Sequence, residues 1–301
     1  MQKLFTASQI RAWDNYTIKN EPISSIHLME RAAIVFKNWF ITEFTSTQKV
    51  HIFCGPRNNG GDGLAICRLL LQKGFQVTSY LINPENKFSI DCYQNYQKLA
   101  QVNTITNIAQ LSIKNINEND IVIDAIFGSG LSRAISGLYK SIIEILNTIT
   151  CNKIAVDVPS GMYSDSLNLT PNTVFNTDVI ATFQTMKRSF YFKENKDNFK
   201  TVVVLDIGLS NTYYKNTKCN WHTINQISEI PKCDEHTNTK CSLEDFVELS
   251  HPICDTINAI KKSLKAAYKL RINIRFNLLH NYIASPENHI YILLINNSKK
   301  R

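Results

Sequence analysis

The chain has 301 residues, 44% of them apolar and 19% charged, and a formal net charge of +8 with a pI near 9.0. This is an ordinary globular composition, long enough for one large domain or two smaller ones, and it excludes a chain too polar to bury a core. It also excludes a membrane-spanning helix, since no run of about eighteen apolar residues occurs, and a disulfide-stapled mini-domain, since the eight cysteines are spread through a far longer chain without a CxxC pair.

The opening MQKLFTASQI has no apolar core of signal-peptide length, so a soluble cytoplasmic protein is the simplest expectation. Thr6-Ala-Ser-Gln9 has the capping-box pattern and predicts a helix that turns Ile10, Trp13 and Thr17/Ile18 to one side. A second helix follows Glu21-Pro22-Ile23-Ser24, with Leu28, Ala32, Val35/Phe36 and Trp39/Phe40 at helical spacing on a core face. Val50–Cys54 reads as a buried strand, Gly55–Asp62 as a tight glycine-bearing loop, and Leu64–Lys73 as the helix beyond it. Phe75–Leu81 predicts a strand and Ile90–Ala100 a helix. Asp120–Asp124 predicts a strand ending in a carboxylate, Gly137–Thr148 a helix, and Lys153–Asp157 a second strand ending in a carboxylate. Val179–Phe183 and Thr201–Ile207 are two further strands. Strands alternating with helices predict an α/β fold with a mostly parallel central sheet covered on both faces.

In such a sheet the ligand crevice lies outside the carboxyl ends of the strands. The stretch Asn58-Asn-Gly-Gly-Asp62, the loop after Asp124 and the loop after Asp157 all fall there, so they can converge on one site. Gly60, Gly61 and Gly63 would let the backbone turn sharply and approach a ligand, and the free amides that open the next helix attract an anion. Gly128, Ser129, Gly130, Leu131, Ser132, Arg133 and Ala134 offer amides, hydroxyls and a guanidinium suited to a phosphate. Asp124 and Asp157 are each either functional carboxylates or turn and cap formers. The positive charge is compatible with nucleic acid, an anionic surface or a phosphate-bearing small molecule. The lysines are scattered, apart from Lys299-Lys300-Arg301, which is the pattern of a solvated surface rather than a nucleic-acid face.

These segments resemble the NAD(P)HX epimerases, the family of the YjeF N-terminal domain. The matching pieces are Leu28-Met-Glu-Arg-Ala32, Gly55-Pro-Arg-Asn-Asn-Gly-Gly-Asp-Gly63, Asp124-Ala-Ile-Phe-Gly-Ser-Gly-Leu131, Asp157-Val-Pro-Ser-Gly161, Thr182-Phe-Gln184 with Lys187, and Leu205-Asp-Ile-Gly-Leu209. They stand in the family's order and place its domain over residues 1–210. The resemblance implies a Rossmann-like three-layer sandwich and an isomerase that interconverts the R and S forms of NADH or NADPH hydrated at carbon 6 of the nicotinamide ring. This is a metabolite-repair step that lets a separate, stereospecific dehydratase restore the cofactor. It implies a homodimer and a potassium ion held by Asn59, Asp124 and Ser160. The substrate would touch Asn58, Asn59, Gly60, Gly61 and Asp62, residues 128–134, and Asp157. The hydroxyl must leave and return on the opposite face of the ring, which calls for an acid and for a negative group near the resulting cation. Asp157 is the expected acid/base, with Lys187 positioning the substrate or serving as its proton partner. Arg57 replaces a usual small residue, Met186 a usual proline, and His27 an expected acid.

Beyond Ser210 the composition turns polar, and residues 211–252 read as a linker. Cys219, His222, Cys233, His236, Cys241, His251 and Cys254 fall in or just after it, at spacings that match no usual zinc finger or ribbon. Within 253–301, Ile253, Ile257, Ile260, Leu264 and Ala267/Tyr268 mark an amphipathic helix. Ile272–Leu279 and Ile290–Ile295 read as strands about a Ser285-Pro-Glu-Asn288 turn, a short irregular extension. Phe276–Ile292 faintly resembles a piece of the dehydratase domain fused to the epimerase in many bacteria. The stretch is too short for that fold and carries no GSGD-type motif, so dehydratase activity is expected to be absent. The alternative to the enzyme is a non-catalytic binding module of this type for RNA or protein. Asn59, Asp124, Asp157 and Ser160 favour the enzyme, because a scaffold need not keep them.

Overall fold

A computed structural model describes residues 1–113, 116–168, 172–224, 247–249, 260, 262–265, 267, 274–277, 281–284 and 289–293. Strand β1 (Gln2–Lys3) leads into helices α1 (Ala7–Asn20) and α2 (Ser25–Glu43). Then come β2 (Lys49–Cys54), α3 (Asn58–Gln72), β3 (Gln76–Ile82), α4 (Ile90–Gln97), β4 (Asn103–Ile105), β5 (Ile121–Ala125), α5 (Gly137–Thr148), β6 (Asn152–Val156), β7 (Thr177–Phe183) and β8 (Phe199–Leu205). Helix α6 (Asn211–Asn216) precedes β9 (Trp221–Ile224), β10 (Val247–Leu249), β11 (Ile274–Asn277), β12 (Asn281–Ala284) and β13 (Ile290–Leu293).

Seven strands form one sheet in the order β4-β3-β2-β5-β6-β7-β8, every neighbouring pair parallel. Alternate side chains of β2 serve opposite faces, as the period of a strand requires. Val50, Ile52 and Cys54 pack with Phe36 and Phe40 of α2 and Leu64 of α3, while Phe53 packs with Ile142, Ile143 and Leu146 of α5. The result is the expected three-layer, Rossmann-like sandwich. The chain progresses outward in both directions from β2, so its carboxyl end and that of β5 form the switch point where a ligand crevice opens.

The capping box of α1 is in place: Thr6 Oγ1 accepts from the Gln9 amide at 3.2 Å, and Gln9 Oε1 accepts from the Thr6 amide at 3.0 Å. Ser210 and Tyr213, far along the chain, hold this helix. The Trp13 indole donates to Ser210 O at 2.8 Å, the Ser210 amide to Thr17 Oγ1 at 3.0 Å, and Tyr213 Oη to Gln9 O at 3.1 Å.

Helix α3 differs from expectation. It begins at Asn58, so the glycine motif is the first turn of a helix and the loop before it is only Gly55–Arg57. None of Gly60, Gly61 and Gly63 adopts a positive φ. They are small because the start of α3 lies hard against the loop before it, against α2 and α4, and against the sheet. A Cβ on Gly60 would sit 1.6 Å from Gly55 O, and one on Gly63 would sit 2.5 Å from Ala125 Cβ.

The C-terminal part is more regular than an irregular extension. The described residues form a second sheet in the order β1-β9-β13-β12-β11-β10, with Lys3 opposite His222 and His222 opposite Tyr291. The described part of residues 211–252, read as a linker, carries α6, β9 and β10. Strand β12 stands between the two strands expected there, pairing antiparallel with both β11 and β13. Leu4, Tyr191, Ile260, Tyr282, Ile290 and Ile292 share its core. Ile253, Ile257, the 285–288 turn, Cys233, His236, Cys241, His251 and Cys254 lie outside the described residues. Among the described residues no helix is long and apolar enough to cross a membrane.

Gly60→Ala forces its methyl group into the Gly55 carbonyl. It is expected to cost about 3 kcal/mol, the upper end for overpacking a dense interior, read as a lower urea midpoint at unchanged slope.

Candidate active site

A buried strut joins the loops after β5 and β6. Asp124 is fully buried at the end of β5. Its Oδ2 accepts from the Ser160 amide at 2.7 Å, and its Oδ1 accepts from Ser160 Oγ at 2.6 Å and from the Ile126 amide at 3.1 Å. Ser160 Oγ in turn accepts from the Phe127 amide at 2.8 Å. Burial pushes the Asp124 carboxyl up to about 6, against the hydrogen bonds from Ser160 and Ile126. Gly128 lies against Asn59, whose side-chain oxygen would be 2.8 Å from a Cβ there. Of the three expected cation ligands, Asp124 and Ser160 are bonded to each other, and Asn59 lies against Gly128 of the loop that follows Asp124. The donor set is an amide, a carboxylate and a hydroxyl, with the Phe127 carbonyl 3.3 Å from Ser160 Oγ, and among the described residues the buried Asn59 side-chain nitrogen has no hydrogen-bond partner. Oxygen donors around one buried carboxylate suit a hard monovalent cation, so the residues fit the group.

The ends of β6 and β7 are bent in the same unusual way. Asp157 and Gln184 have φ of +64° and +63°, and each is spanned by an i→i+2 hydrogen bond: Val158 amide to Val156 O at 2.8 Å, Thr185 amide to Phe183 O at 2.7 Å. These are γ-turns of the strained, positive-φ kind. Asp157 Oδ1 accepts from Lys187 Nζ at 2.8 Å, Thr182 Oγ1 at 3.3 Å and the Phe183 amide at 3.3 Å, and Oδ2 accepts from the Ser129 amide at 3.4 Å. Burial opposes its charge, but the Lys187 ammonium and these donors hold the carboxyl below the usual carboxylate range. Lys187 is only 1% exposed and also donates to Thr182 Oγ1, Phe183 O and Thr185 O. It stands behind Asp157 and does not line the cavity.

Its two neighbours are held by the second sheet. Met186 packs on that sheet's core, and Arg188 donates to Leu4 O at 3.0 Å and lies 4.9 Å over the Trp221 ring.

A cavity of about 650 Å³ opens between α1, α2, the start of α3 and the loops after β5, β6 and β7, a size usual for small-molecule sites. Of the residues expected at the substrate, Asn58, Asn59, Asp62, the run from Gly128 to Arg133, and Asp157 line it. Gly60, Gly61 and Ala134 do not. The cavity is polarised. Arg11, Arg57 and Arg133 are exposed residues of its lining, and Asp14, Asp62 and Asp157 are its carboxylates. Burial, then the charges of Asp157, Asp14 and Asp91, push the Asp62 carboxyl well above the ordinary range. Burial and then Asp157 push Asp14 up to about 7, against Lys187 and Arg11. Asp14 and Arg11 stand outside the residues expected from the sequence. The available signal was a carboxylate at Asp14 in step with Ile10 and Ile18, inside an apolar stripe where an acid is out of place.

A parallel sheet with a polar crevice at its switch point places the protein among the Rossmann-like α/β proteins that bind ligands at strand ends. The family described as YjeF-related protein N-terminus matches residues 25–189, over half the chain, and the chain belongs to it. It is 35% identical over 203 residues to an NAD(P)H-hydrate epimerase of Limosilactobacillus reuteri, a match covering 67% of this chain and 94% of that protein. It is 37% identical over 205 residues to an NAD(P)H-hydrate epimerase of Anaerococcus prevotii, covering 65% of this chain and 90% of that protein. The crystal structure of yeast ynu0, YNL200c, shares the fold with a TM-score of 0.56 at 22% identity, over 67% of this chain and 88% of that one.

Lys187→Met leaves the Asp157 charge buried without its cation and is expected to cost about 3 kcal/mol at neutral pH. Because the folded state depresses the Asp157 carboxyl, that stabilisation is present above the unfolded value near 3.9 and fades as pH falls through the folded one. The deficit of the variant, measured by denaturant titration, is therefore expected to shrink on acidification.

Proposed function

We propose that the protein is an NAD(P)H-hydrate epimerase, interconverting the two forms of NADH or NADPH hydrated at carbon 6 of the nicotinamide ring. The observation that carries this reading is the polarised crevice, with guanidinium groups among its exposed lining and an ionised Asp157 within it, in a chain whose curated relatives bear that name. A dinucleotide has the matching polarity. Its pyrophosphate suits Arg11, Arg57, Arg133 and the free amides opening α3, and its ring becomes cationic when the hydroxyl leaves.

In the reaction the carbon–oxygen bond at carbon 6 breaks, the oxygen takes a proton and departs as water, and the lone pair of the ring nitrogen closes an iminium. Water then adds to the other face. Asp157 stabilises the iminium through its negative charge and accepts the proton of the incoming water, and Lys187 fixes the orientation and ionisation of Asp157. Ser129 and its neighbours up to Arg133 cover the substrate. Asn59, Asp124 and Ser160 would hold a potassium ion, which supplies positive charge at the switch point when bound. The family resemblance extends the reading to a homodimer whose product passes to a separate dehydratase.

Asp157→Asn is expected to slow epimer equilibration, followed by chromatography of purified hydrated NADH, by at least about 10²-fold. Undiminished turnover would remove Asp157 from the chemistry. Potassium added to protein prepared in a bulky organic cation is expected to raise the melting temperature by mass action, and Asp124→Asn is expected to abolish that increment.

A further inference from the structure

Helix α1 forms one wall of the crevice. Ala7, Ile10, Arg11, Asp14 and Ile18 all face it, at the helical spacing that puts residues on one side. The strand-end loops line the same crevice with Ser129, Asp157 and Gln184. Asp14 is the acid of the helix wall and Asp157 the acid of the strand-end wall. Asp62, the remaining acid, belongs to α3 and to neither. A flat ring bound between α1 and the strand-end loops would show one face to each.

The two acids are treated differently. Asp157 accepts hydrogen bonds from several protein donors and pairs with Lys187. Asp14 is half-buried, and among the described residues nothing donates a hydrogen bond to its carboxyl or pairs with it. A desolvated carboxyl left without protein donors is held in the form that keeps its proton.

We propose that Asp14 is the general acid of the epimerisation, protonating the carbon 6 hydroxyl as it leaves the ring face turned to α1, while Asp157 works on the other face. The assignment rests on the epimerase reading above. The electron pair of the breaking carbon–oxygen bond goes to oxygen, the Asp14 proton completes a water molecule, and the ring nitrogen lone pair forms the iminium. Water adds to carbon 6 from the other side, the iminium electrons return to nitrogen, and the water's proton goes to Asp157. One proton has moved from Asp14 to Asp157, exchange with solvent restores both, and nothing is oxidised or reduced. With Asp14 raised to about 7 and Asp157 held ionised, both groups start in the required state at neutral pH. Arg11, Asp62, Asp157 and Lys187 are the charged groups around Asp14.

Asp14→Asn in the full chain is expected to lower kcat for hydrated NADH at least about 10²-fold with KM changed less than about threefold, and Asp14→Glu is expected to restore part of the rate. Wild-type kcat is expected to fall as pH rises above about 7, and Asp14→Asn is expected to lack that limb. The folded state raises this carboxyl, so its ionisation opposes folding at higher pH, and the melting temperature of Asp14→Asn above neutrality is expected to rise. If Asp14→Asn fails to fold, the wild-type pH limb and Asp14→Glu decide. An active wild type beside an equally active Asp14→Asn, or a wild-type kcat flat from about pH 6 to 9, overturns the acid role alone. A wild type that leaves the epimers unequilibrated overturns the epimerase reading and the acid role with it.

Discussion

The site depends on a single carboxylate sealed away from water. Asp124 closes β5 and takes the amide and the hydroxyl of Ser160, which belongs to the loop after β6, along with the Ile126 amide of its own loop. Two loops that meet solvent on their outer sides are thereby fastened on their inner sides. The run from Gly128 to Arg133 leaves the strut in one direction, and Asp157 lies three residues before Ser160 in the other. Removing the acceptor would leave the Ser160 and Ile126 amides buried and unpaired, each costing on the order of 1–3 kcal/mol. This explains how a buried acid that never reaches the cavity governs its shape.

Strain is the second constraint. Asp157 and Gln184 occupy a backbone region that ordinary residues avoid, at matching places on adjacent strands. Such conformations persist where the surroundings over-determine them. Here the Asp157 amide reaches Ala181 O and the Gln184 amide reaches Leu205 O, while the Gln184 side-chain oxygen takes the Ile207 and Leu209 amides. The bends lift both residues out of the sheet's plane and into the crevice. Three aspartates then share one cavity without sharing one protonation state, because only Asp157 has a buried ammonium beside it.

Much of this architecture could be read from the residues. Strands such as Ile121–Ala125 and Asn152–Val156 are covered on both faces, so they carry the consecutive apolar residues Ile121-Val-Ile123 and Ile154-Ala-Val156, and helix α5 announces itself through Ile142, Ile143 and Leu146. Strand β4 could not be read this way, having three residues of which only Ile105 is buried. Helix α3 starts before its glycines rather than after them because glycine has two uses, and close packing leaves the same letter in a sequence as a turn. Strand β12 is hidden in the sequence because its neighbours read as one hairpin. The role of Lys187 was legible as a motif position but not as a place. That a lysine lies behind an aspartate, with every proton donated to protein, follows from the bend at Gln184, which no local pattern announces.

The pairing of β1 with β9 has a consequence for how the molecule is made. The wall formed by α1 is held at its start by a strand that needs Trp221–Ile224, and along its length by Ser210 and Tyr213. All of these partners emerge from the ribosome long after α1 itself. The parallel sheet can assemble strand by strand from β2 onward, whereas its first helix must stay loosely tethered until the loop spanning the whole sheet closes, a late and entropically costly contact. A nascent chain cut short before Ser210 would carry a crevice with its α1 side unfastened, so the pocket closes only after the last strand of the parallel sheet has been made.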